Sequence, residues 1–276
     1  MDLTAKTVVL TGASSGLGKA LSLAFAQTGA KLVLAARRQD ALDNVAQQCR
    51  DLGADTVSVL TDVTDAAACE RLMTEARQAF GGVDVVVLCA GISMWARADT
   101  ITDPALYHKL VSVNYLGAVY TVHAALDDLK NRRGLVVAIS SIQGQLGVPY
   151  HAGYGASKFA LQGFVEGLEA ELEGQLRFLT VYPSWIRGTE LRQHALSTDA
   201  SSNGNARRAH SKNALEPDRC SRDIIEAIRT GKRRLYLPGY LRFIPWLKLI
   251  APGLLRAYVR HKVDQQAVVG ETQRSS

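Results

Sequence analysis

The sequence lacks paired cysteines. Its four cysteines, Cys49, Cys69, Cys89 and Cys220, stand far apart, and no two of them form a C-x-x-C motif. This spacing gives neither a zinc framework nor a disulfide framework, so we expect no metal site and reduced thiols in a cytoplasmic protein. The first residues run directly into a strand-like segment, so we also expect no signal peptide.

Long uncharged apolar stretches are also missing. No run reaches the roughly 18 residues of a membrane-spanning helix, so we expect no such helix. Hydrophobic residues still make up 47% of the 276 residues, which is enough for a sizeable core. Acidic residues are absent from Ala227 to Val263, the region that contributes much of the net charge of +6. No nucleic-acid-reading motif accompanies this charge, so we expect no nucleic-acid partner.

What the sequence does contain is a regular alternation of short β-branched runs and longer amphipathic segments. Near-continuous apolar runs suit strands that are covered on both faces of a parallel sheet. The pattern predicts an α/β fold with one doubly wound parallel sheet flanked by helices. The predicted strands are Thr7–Thr11, Lys31–Ala35, Thr56–Leu60, Val83–Ala90, Gly134–Ser140, Arg177–Tyr182 and Arg234–Leu237.

A glycine-rich turn between the first strand and the first helix predicts a phosphate site. Gly12, Gly16 and Gly18 let the backbone approach a pyrophosphate, and the helix N-terminus supplies N–H groups and a positive dipole end. Ser14, Ser15 and Leu17 complete this loop. The alternative interpretation is a tight turn with glycines that serve packing.

The end of the second strand indicates which dinucleotide binds there. Ala36 stands where folds that bind NAD carry an acidic residue for the ribose hydroxyls, and Arg37 and Arg38 follow it. A guanidinium can hold a 2′-phosphate through two hydrogen bonds, which favours NADP(H). Alternatively, the two arginines are solvated residues of a loop.

A tyrosine and a lysine four residues apart, Tyr154 and Lys158, fall on one face of a predicted helix. The spacing alone is common and would indicate only a surface pair. Here it follows, in order, the glycine-rich turn, Asp62, Ala90-Gly91, Asn114 and Ser140-Ser141. With these motifs the chain resembles the short-chain dehydrogenase/reductase family from Lys6 to Gly188.

The resemblance implies a Rossmann-type sheet of about seven strands, nicotinamide chemistry and a catalytic tetrad. By position, the tetrad is Asn114, Ser141, Tyr154 and Lys158; Ser141 is preferred to Ser140 because it lies thirteen positions before Tyr154, as the family spacing implies. The cofactor contacts that follow are Gly12, Ser14, Ser15, Gly16, Leu17, Gly18, Arg37, Arg38, Asp62, Val63, Ala90, Gly91, Tyr154, Lys158, Pro183 and Ile186.

Each member of the tetrad has an expected role. A phenol that acts near neutrality needs its pKa lowered by roughly three units, or about 4 kcal/mol, which Lys158 and the positive nicotinamide can supply. Ser141 would hydrogen-bond the substrate oxygen, and Tyr154 would transfer the proton. Asn114 would hold a water that connects Lys158 to solvent, as the resemblance implies.

Two stretches depart from the family pattern. Leu88-Cys89 replaces the usual Asn-Asn before Ala90-Gly91, and Cys89 is interpreted as a small buried hydrophobe. Pro183-Ser184 replaces Pro-Gly, with the following threonine, Thr189, one place late. We expect the contacts to the carboxamide to differ, but not the binding of the cofactor.

The expected substrate pocket is largely apolar, which suits a bulky hydrophobic ketone or secondary alcohol. His151 is interpreted as a pocket or interface side chain rather than an acid–base group. A polar stretch, 189–218, is expected to be a lid. The predicted substrate contacts are Met94, Trp95, Ser141, Gln143, Leu146, Tyr150, Tyr154 and Trp185.

The C-terminal region predicts a separate element after the domain formed by residues 1–238. Residues 239–263 interleave aromatic and aliphatic residues with Lys and Arg, as in a basic amphipathic segment on a membrane surface. The alternatives are a cover for the pocket or a contact with a partner subunit. Residues 264–276 are expected to be disordered, and the resemblance implies a homodimer or homotetramer.

The sequence therefore predicts an NADP(H)-dependent oxidoreductase that interconverts a hydrophobic ketone and its secondary alcohol. The resemblance, nearest to membrane-associated members of the family that act on steroids and long-chain lipids, implies a steroid- or lipid-like substrate. One alternative is a reductase of 3-oxoacyl or 3-ketosphinganine-type chains. Another, from a different class, is a protein that senses NADP(H) without turnover; the intact tetrad argues against it.

Overall fold

A seven-stranded parallel sheet forms the centre of the part of the chain that the structure describes. The computed structural model describes residues 1–188, 191, 195–201 and 214–272. The strand order is β3-β2-β1-β4-β5-β6-β7, which confirms the predicted doubly wound α/β fold. The strands are β1 (Thr7–Thr11), β2 (Lys31–Ala36), β3 (Thr56–Leu60), β4 (Val85–Leu88), β5 (Leu135–Ile139), β6 (Arg177–Pro183) and β7 (Arg234–Leu237).

Helices cover both faces of this sheet. On one face α1, α2 and α7 pack over Val8 and Leu10, and on the other α3, α5 and α6 pack over Val9. Because successive side chains of a strand point to opposite faces, burial on both sides explains the near-continuous apolar runs. The α-helices are α1 (Gly16–Ala26), α2 (Gln39–Asp51), α3 (Ala66–Phe80), α4 (Ala105–Val111), α5 (Gly117–Arg132), α6 (Ala152–Glu171), α7 (Pro217–Arg229), α8 (Ile244–Ile250) and α9 (Pro252–Thr272).

The strands end where the site begins. Strand β4 is shorter than predicted because the N–H groups of Cys89 and Ala90 leave the ladder and donate to Thr11 Oγ1, at 3.2 and 3.3 Å. The order reverses between β1 and β4, so the loops after these two strands diverge and open a crevice at the carboxyl edge. The glycine-rich turn and Ala90-Gly91 therefore face the same crevice.

Shorter helical turns join these elements beside the crevice. A π-helical turn, Ser112–Leu116, links α4 to α5. Three 3₁₀ turns cover Ala98–Thr100, Ile142–Gly144 and Gly239–Phe243.

The C-terminal region forms helices. Helix α9 runs to Thr272, past Asp264, where the sequence predicts a disordered tail to begin; residues 273–276 lie outside the described residues. In the described part of the chain, no helix combines the length and the apolar character that crossing a membrane would require.

The predicted lid is described only in part. Residues 189–190, 192–194 and 202–213 lie outside the described residues. Residues 195–201 lie against the loop after β4, where Leu196 N donates to Ser93 O and Trp95 N donates to Leu196 O, at 2.9 and 3.0 Å. Leu215 pairs with Ile186 in a short bridge. The described parts of this stretch thus form a wall of the crevice.

Candidate active site

A cavity of about 1120 Å³ lies at the carboxyl edge of the sheet. All sixteen residues that the sequence predicts to contact the cofactor line it, from the glycine-rich turn to Pro183 and Ile186. Among the predicted substrate contacts, Met94, Trp95, Ser141, Gln143, Leu146, Tyr154 and Trp185 also line it. The fold therefore brings the two predicted sets into one space.

The glycine-rich turn lies at the cavity and packs closely against the loop after β4. Gly12 has a φ of +71°, and a Cβ atom there would lie 2.8 Å from Ala90 Cα. Helix α1 begins at Gly16 beside the cavity, and its first turn has no acidic residue. Its unpaired N–H groups and positive dipole end suit an anion, so this turn fits the pyrophosphate of a dinucleotide.

The second strand ends in positive charge at the same cavity. Ala36 is buried, and the exposed Arg37 and Arg38 follow it in the cavity wall. The Asp62 carboxylate, which also lines the cavity, accepts hydrogen bonds from the Thr64 N–H at 2.9 Å and the Thr64 hydroxyl at 2.8 Å. Two arginines thus directly follow Ala36, the position at which an acidic residue would otherwise stand.

Tyr154 and Lys158 lie one turn apart in the first half of α6, and both side chains are buried. Lys158 Nζ donates to the Ile139 carbonyl at the end of β5, at 2.9 Å, and lies 5.9 Å from the centroid of the Tyr154 ring. The hydrogen bond to β5 fixes the ammonium beside the phenol. The predicted pair therefore belongs to the site and not to the surface.

The pKa values of this pair are dominated by burial. Loss of solvent raises the pKa of Tyr154 to about 12, and a hydrogen bond with Ser141 acts in the opposite direction. Burial lowers the pKa of Lys158 to about 8. In the protein alone the phenol pKa thus moves away from neutrality, opposite to the expected direction, because desolvation outweighs the hydrogen bond with Ser141.

Ser141 is held with its hydroxyl at the site. It follows β5, and its Oγ accepts a hydrogen bond from the Gln143 N–H at 3.2 Å, at the start of the Ile142–Gly144 turn. Since the oxygen accepts from the backbone, the hydroxyl proton is left to donate. Ser141 can therefore offer a hydrogen bond to an oxygen placed beside Tyr154.

Asn114 positions the site from behind and does not line the main cavity. Its Oδ1 accepts from Ile92 N at 2.8 Å, and its Nδ2 donates to Ile92 O and to Ser157 Oγ, both at 2.9 Å. Ser157 Oγ in turn donates to the Tyr154 carbonyl at 2.8 Å. The Asn114 side chain thus ties the π-helical turn to α6 and to the loop after β4.

Gly91 leaves the space that this arrangement needs. A Cβ atom at Gly91 would lie 3.2 Å from Asn114 Oδ1 and 3.8 Å from Lys158 Nζ. At the neighbouring position, burial raises the pKa of the Cys89 thiol to about 12. A thiol with this pKa stays protonated, but the Cys89 side chain is only half-buried and lines the cavity, so the prediction of a small buried hydrophobe is met only in part.

Aromatic rings form the apolar wall of the cavity. Trp95 stacks on Tyr150 with ring centroids 5.1 Å apart, and His151 meets Trp95 edge-on at 4.9 Å and Trp185 at 5.5 Å. Tyr150 is not among the residues that line the cavity, unlike the other predicted substrate contacts; its ring stacks on Trp95, which does line it. His151 is buried and lines the cavity, as expected of a pocket side chain.

Two parts of the wall lie outside the predicted contacts. One comes from α4 and its end, which was not predicted. The other comes from the C-terminal segment, for which a cover of the pocket was one of the three predicted alternatives. Along α9 the lining residues recur at helical spacing, a periodicity that was available in the sequence. The missed residues are His108, Lys109, Ser112, Tyr240, Leu241, Ile244, Leu255, Tyr258, Val259, Lys262 and Val263.

Comparison with known proteins agrees with this geometry. A family model described as short chain dehydrogenase matches residues 6–200. The 11-beta-hydroxysteroid dehydrogenase A of Sesamum indicum is 33% identical over 259 residues, which are 92% of this chain and 74% of that protein. Dehydrogenase/reductase SDR family member 7B of Bos taurus is 34% identical over 256 residues, 90% of this chain and 78% of that protein.

Solved structures show the same architecture. An alcohol dehydrogenase from Thermococcus sibiricus, complexed with 5-hydroxy-NADP, superposes with a TM-score of 0.71 at 27% identity, over 84% of this chain and 94% of that one. A short chain dehydrogenase/reductase from Burkholderia phymatum in complex with NAD gives a TM-score of 0.78 at 23% identity, over 92% and 96%, which supports the fold alone. The chain belongs to the short-chain dehydrogenase family and is an oxidoreductase that acts on CH–OH groups.

Proposed function

We propose that the protein is an NADP(H)-dependent oxidoreductase that interconverts a hydrophobic, steroid- or lipid-like ketone and its secondary alcohol. The observation that carries the proposal is the meeting of Ser141, Tyr154 and Lys158 with Arg37 and Arg38 along one largely aromatic and aliphatic cavity. The Ser141 hydroxyl and the Tyr154 phenol act on the substrate oxygen, and the two arginines favour NADP(H) over NAD(H).

The residues around the glycine-rich turn would hold the cofactor. The N-terminus of α1 and the glycine-rich turn before it suit the pyrophosphate, and Arg37 and Arg38 suit a 2′-phosphate. One supporting comparison is the Thermococcus sibiricus alcohol dehydrogenase, whose structure contains 5-hydroxy-NADP. When bound, NADPH supplies the hydride that a carbonyl carbon receives.

The side chains of this protein stabilise the carbonyl oxygen of the substrate and supply its proton. Ser141 donates a hydrogen bond to the carbonyl oxygen, which stabilises the negative charge that develops there. Tyr154, protonated because burial raises its pKa to about 12, donates its proton to the same oxygen. Lys158, held by Ile139 O, stabilises the phenolate that is left. In alcohol oxidation Tyr154 accepts the proton instead.

The substrate class follows from the cavity wall. Met94, Trp95, Leu146 and Trp185 present apolar surface near Tyr154, and the C-terminal segment adds Leu241, Ile244, Leu255 and Val259. Such a wall favours a large rigid or long apolar molecule over a sugar or an acid. The name of the Sesamum indicum relative, an 11-beta-hydroxysteroid dehydrogenase, supports a steroid-like substrate.

A panel assay tests the proposal. Purified protein is incubated with NADPH or NADH and with steroid ketones, long-chain ketones, a 3-oxoacyl thioester and a 3-keto sphingoid base. We expect NADPH oxidation with the bulky apolar ketones at a higher kcat/KM than with NADH. Turnover confined to the thioester or the sphingoid base would favour a chain reductase. Binding of NADPH without turnover of any compound would favour a sensor.

A further inference from the structure

The C-terminal segment carries a concentrated exposed apolar surface. Among the described residues, eight of the thirteen large exposed hydrophobic side chains lie between Tyr240 and Tyr258. We call this surface the C-terminal patch: Tyr240, Phe243, Trp246, Leu247, Leu249, Ile250, Leu254 and Tyr258. A concentration of this kind in a protein surface marks an interaction site rather than scattered exposure.

The side chains of the patch are exposed because they lie on the outward sides of helices. On α8, Trp246, Leu249 and Ile250 share one helix face and are 65%, 77% and 77% exposed. Leu254 and Tyr258 extend the surface onto the first turns of α9. Other apolar residues of the segment, Leu241, Leu255 and Val263, are buried at the cavity. The segment therefore has one apolar side toward the protein and another toward its surroundings.

The charged residues around the patch indicate which kind of partner it contacts. Arg242, Lys248, Arg256, Arg260 and Lys262 are exposed around it, and the sequence from Ala227 to Val263 has no acidic residue. In a two-fold contact between copies, these positive charges would face one another without acidic partners in the segment. A surface with anionic headgroups over an apolar interior satisfies both the charges and the exposed side chains.

Two residues of the patch also border the cavity. Tyr240 and Tyr258 are exposed to the surroundings and line the cavity at the same time. Lys248 ties the C-terminal segment to the Ile142–Gly144 turn and to α6. Its Nζ donates to Gln145 O, just after that turn, at 2.9 Å and lies 5.0 Å from the centroid of the Phe159 ring on α6. A molecule dissolved in a layer against the patch would reach the cavity without crossing water.

We propose that the C-terminal patch docks on an anionic lipid surface and that apolar substrate enters the cavity from that layer. The docking rests on the patch itself, whereas the entry of substrate rests on the function proposed above. The described helices lie on the surface of such a layer rather than crossing it.

Co-sedimentation with vesicles tests the docking. The wild-type protein is mixed with vesicles of phosphatidylcholine alone or of phosphatidylcholine with phosphatidylserine, beside the variant Trp246→Ser/Leu249→Ser/Ile250→Ser/Leu254→Ser. We expect the wild type to pellet with the anionic vesicles. The partition coefficient of the variant onto these vesicles should be lower by at least about tenfold. The matched control Leu52→Ser/Leu60→Ser, which removes two exposed leucines outside the patch, should pellet like the wild type.

The charge is tested separately by Arg256→Gln/Arg260→Gln and by added salt. Both should weaken binding to the anionic vesicles, since both reduce the attraction to anionic headgroups. Equal pelleting of the wild type and the apolar variant, or a wild type that stays in the supernatant with both vesicles, overturns the docking. A variant that instead changes from oligomer to monomer in size-exclusion chromatography, with no vesicle binding by the wild type, assigns the patch to a second copy.

Turnover in the same vesicles tests the route of entry. With a ketone dissolved in anionic vesicles, the apolar variant should show a KM at least about tenfold above that of the wild type. With a small water-soluble ketone, both proteins should have the same kcat/KM. Equal KM values in vesicles contradict the route. Absence of turnover with every ketone would refute the proposed function and leave the pelleting result to decide the docking.

Discussion

At the scale of single residues, burial separates the protonation states of the two central side chains. Tyr154, with its pKa raised to about 12, keeps its proton at neutral pH but is a weaker acid than a free phenol, so the positive charge of Lys158 must stabilise the phenolate when the proton is donated. Lys158, with its pKa lowered to about 8, is still charged at neutral pH and loses its charge just above it. The pair therefore suits proton donation in carbonyl reduction, and the ammonium stabilises the phenolate only below its own pKa.

We expect the reductive kcat/KM for NADPH to fall above about pH 8, because this parameter reports the groups of the free enzyme. The sign follows from burial, which disfavours the ammonium and moves the loss of its proton down from the usual range of a lysine. The profile is measured with circular dichroism at each pH, so that unfolding is recognised. A profile that stays flat up to pH 10, about the ordinary pKa of a lysine, would contradict this assignment.

Replacement of the two arginines tests the preference for the cofactor. We expect Arg37→Ser/Arg38→Ser to lower kcat/KM for NADPH by about 10- to 150-fold, the equivalent of about 1.5–3 kcal/mol for charge-assisted hydrogen bonds. The value for NADH should change little, because NADH has no 2′-phosphate. Arg50→Ser, at the other end of α2 and also exposed, is the control. An equal loss with both cofactors would remove the argument for NADP(H).

At the scale of elements, the sequence was a good guide where local chemistry sets the structure. Strands β1, β3 and β7 have the predicted bounds, because β-branched runs and flanking turn residues define them locally. The π-helical turn at Ser112–Leu116 was not predicted, since it interrupts the helical pattern without a composition of its own. The link of Asn114 to Ser157 and α6 depends on that turn and was missed with it.

A substitution at Gly12 tests the role of the glycine-rich turn. We expect Gly12→Ala to abolish measurable NADPH binding and to lower the free energy of unfolding by about 1–3 kcal/mol. The added Cβ would meet the Ala90 backbone at 2.8 Å, in a residue with a φ of +71°. Calorimetry of NADPH binding and urea unfolding measure the two effects.

Gly163→Ala on α6 is the control for this prediction. No atom lies within 4 Å of a Cβ placed there, so alanine should stabilise the helix by about 0.5–1 kcal/mol and leave NADPH binding unchanged. Wild-type affinity for NADPH in Gly12→Ala would show that the turn does not approach the cofactor closely.

At the scale of the whole molecule, the site joins parts of the chain that are far apart in sequence. The motifs near Gly12, Ser141 and Tyr154 are local, and their meeting follows from the sheet order, so the sequence predicted this half of the cavity. The other half depends on tertiary packing. Nothing local to the C-terminal segment determines whether its apolar residues face the cavity, a partner or a lipid. The stacking of Tyr150 on Trp95 is likewise set by tertiary packing and not by the local sequence.

The most direct measurement is the turnover of Tyr154→Phe with an apolar ketone that the wild type reduces, beside its affinity for NADPH measured by fluorescence. Removal of the phenolic hydroxyl should leave the fold and NADPH binding intact, because the ring still packs with Met94 and Leu110. The account predicts a kcat lower by about 10²- to 10⁴-fold, the usual contribution of a positioned acid. Wild-type turnover by a correctly folded Tyr154→Phe protein would contradict it.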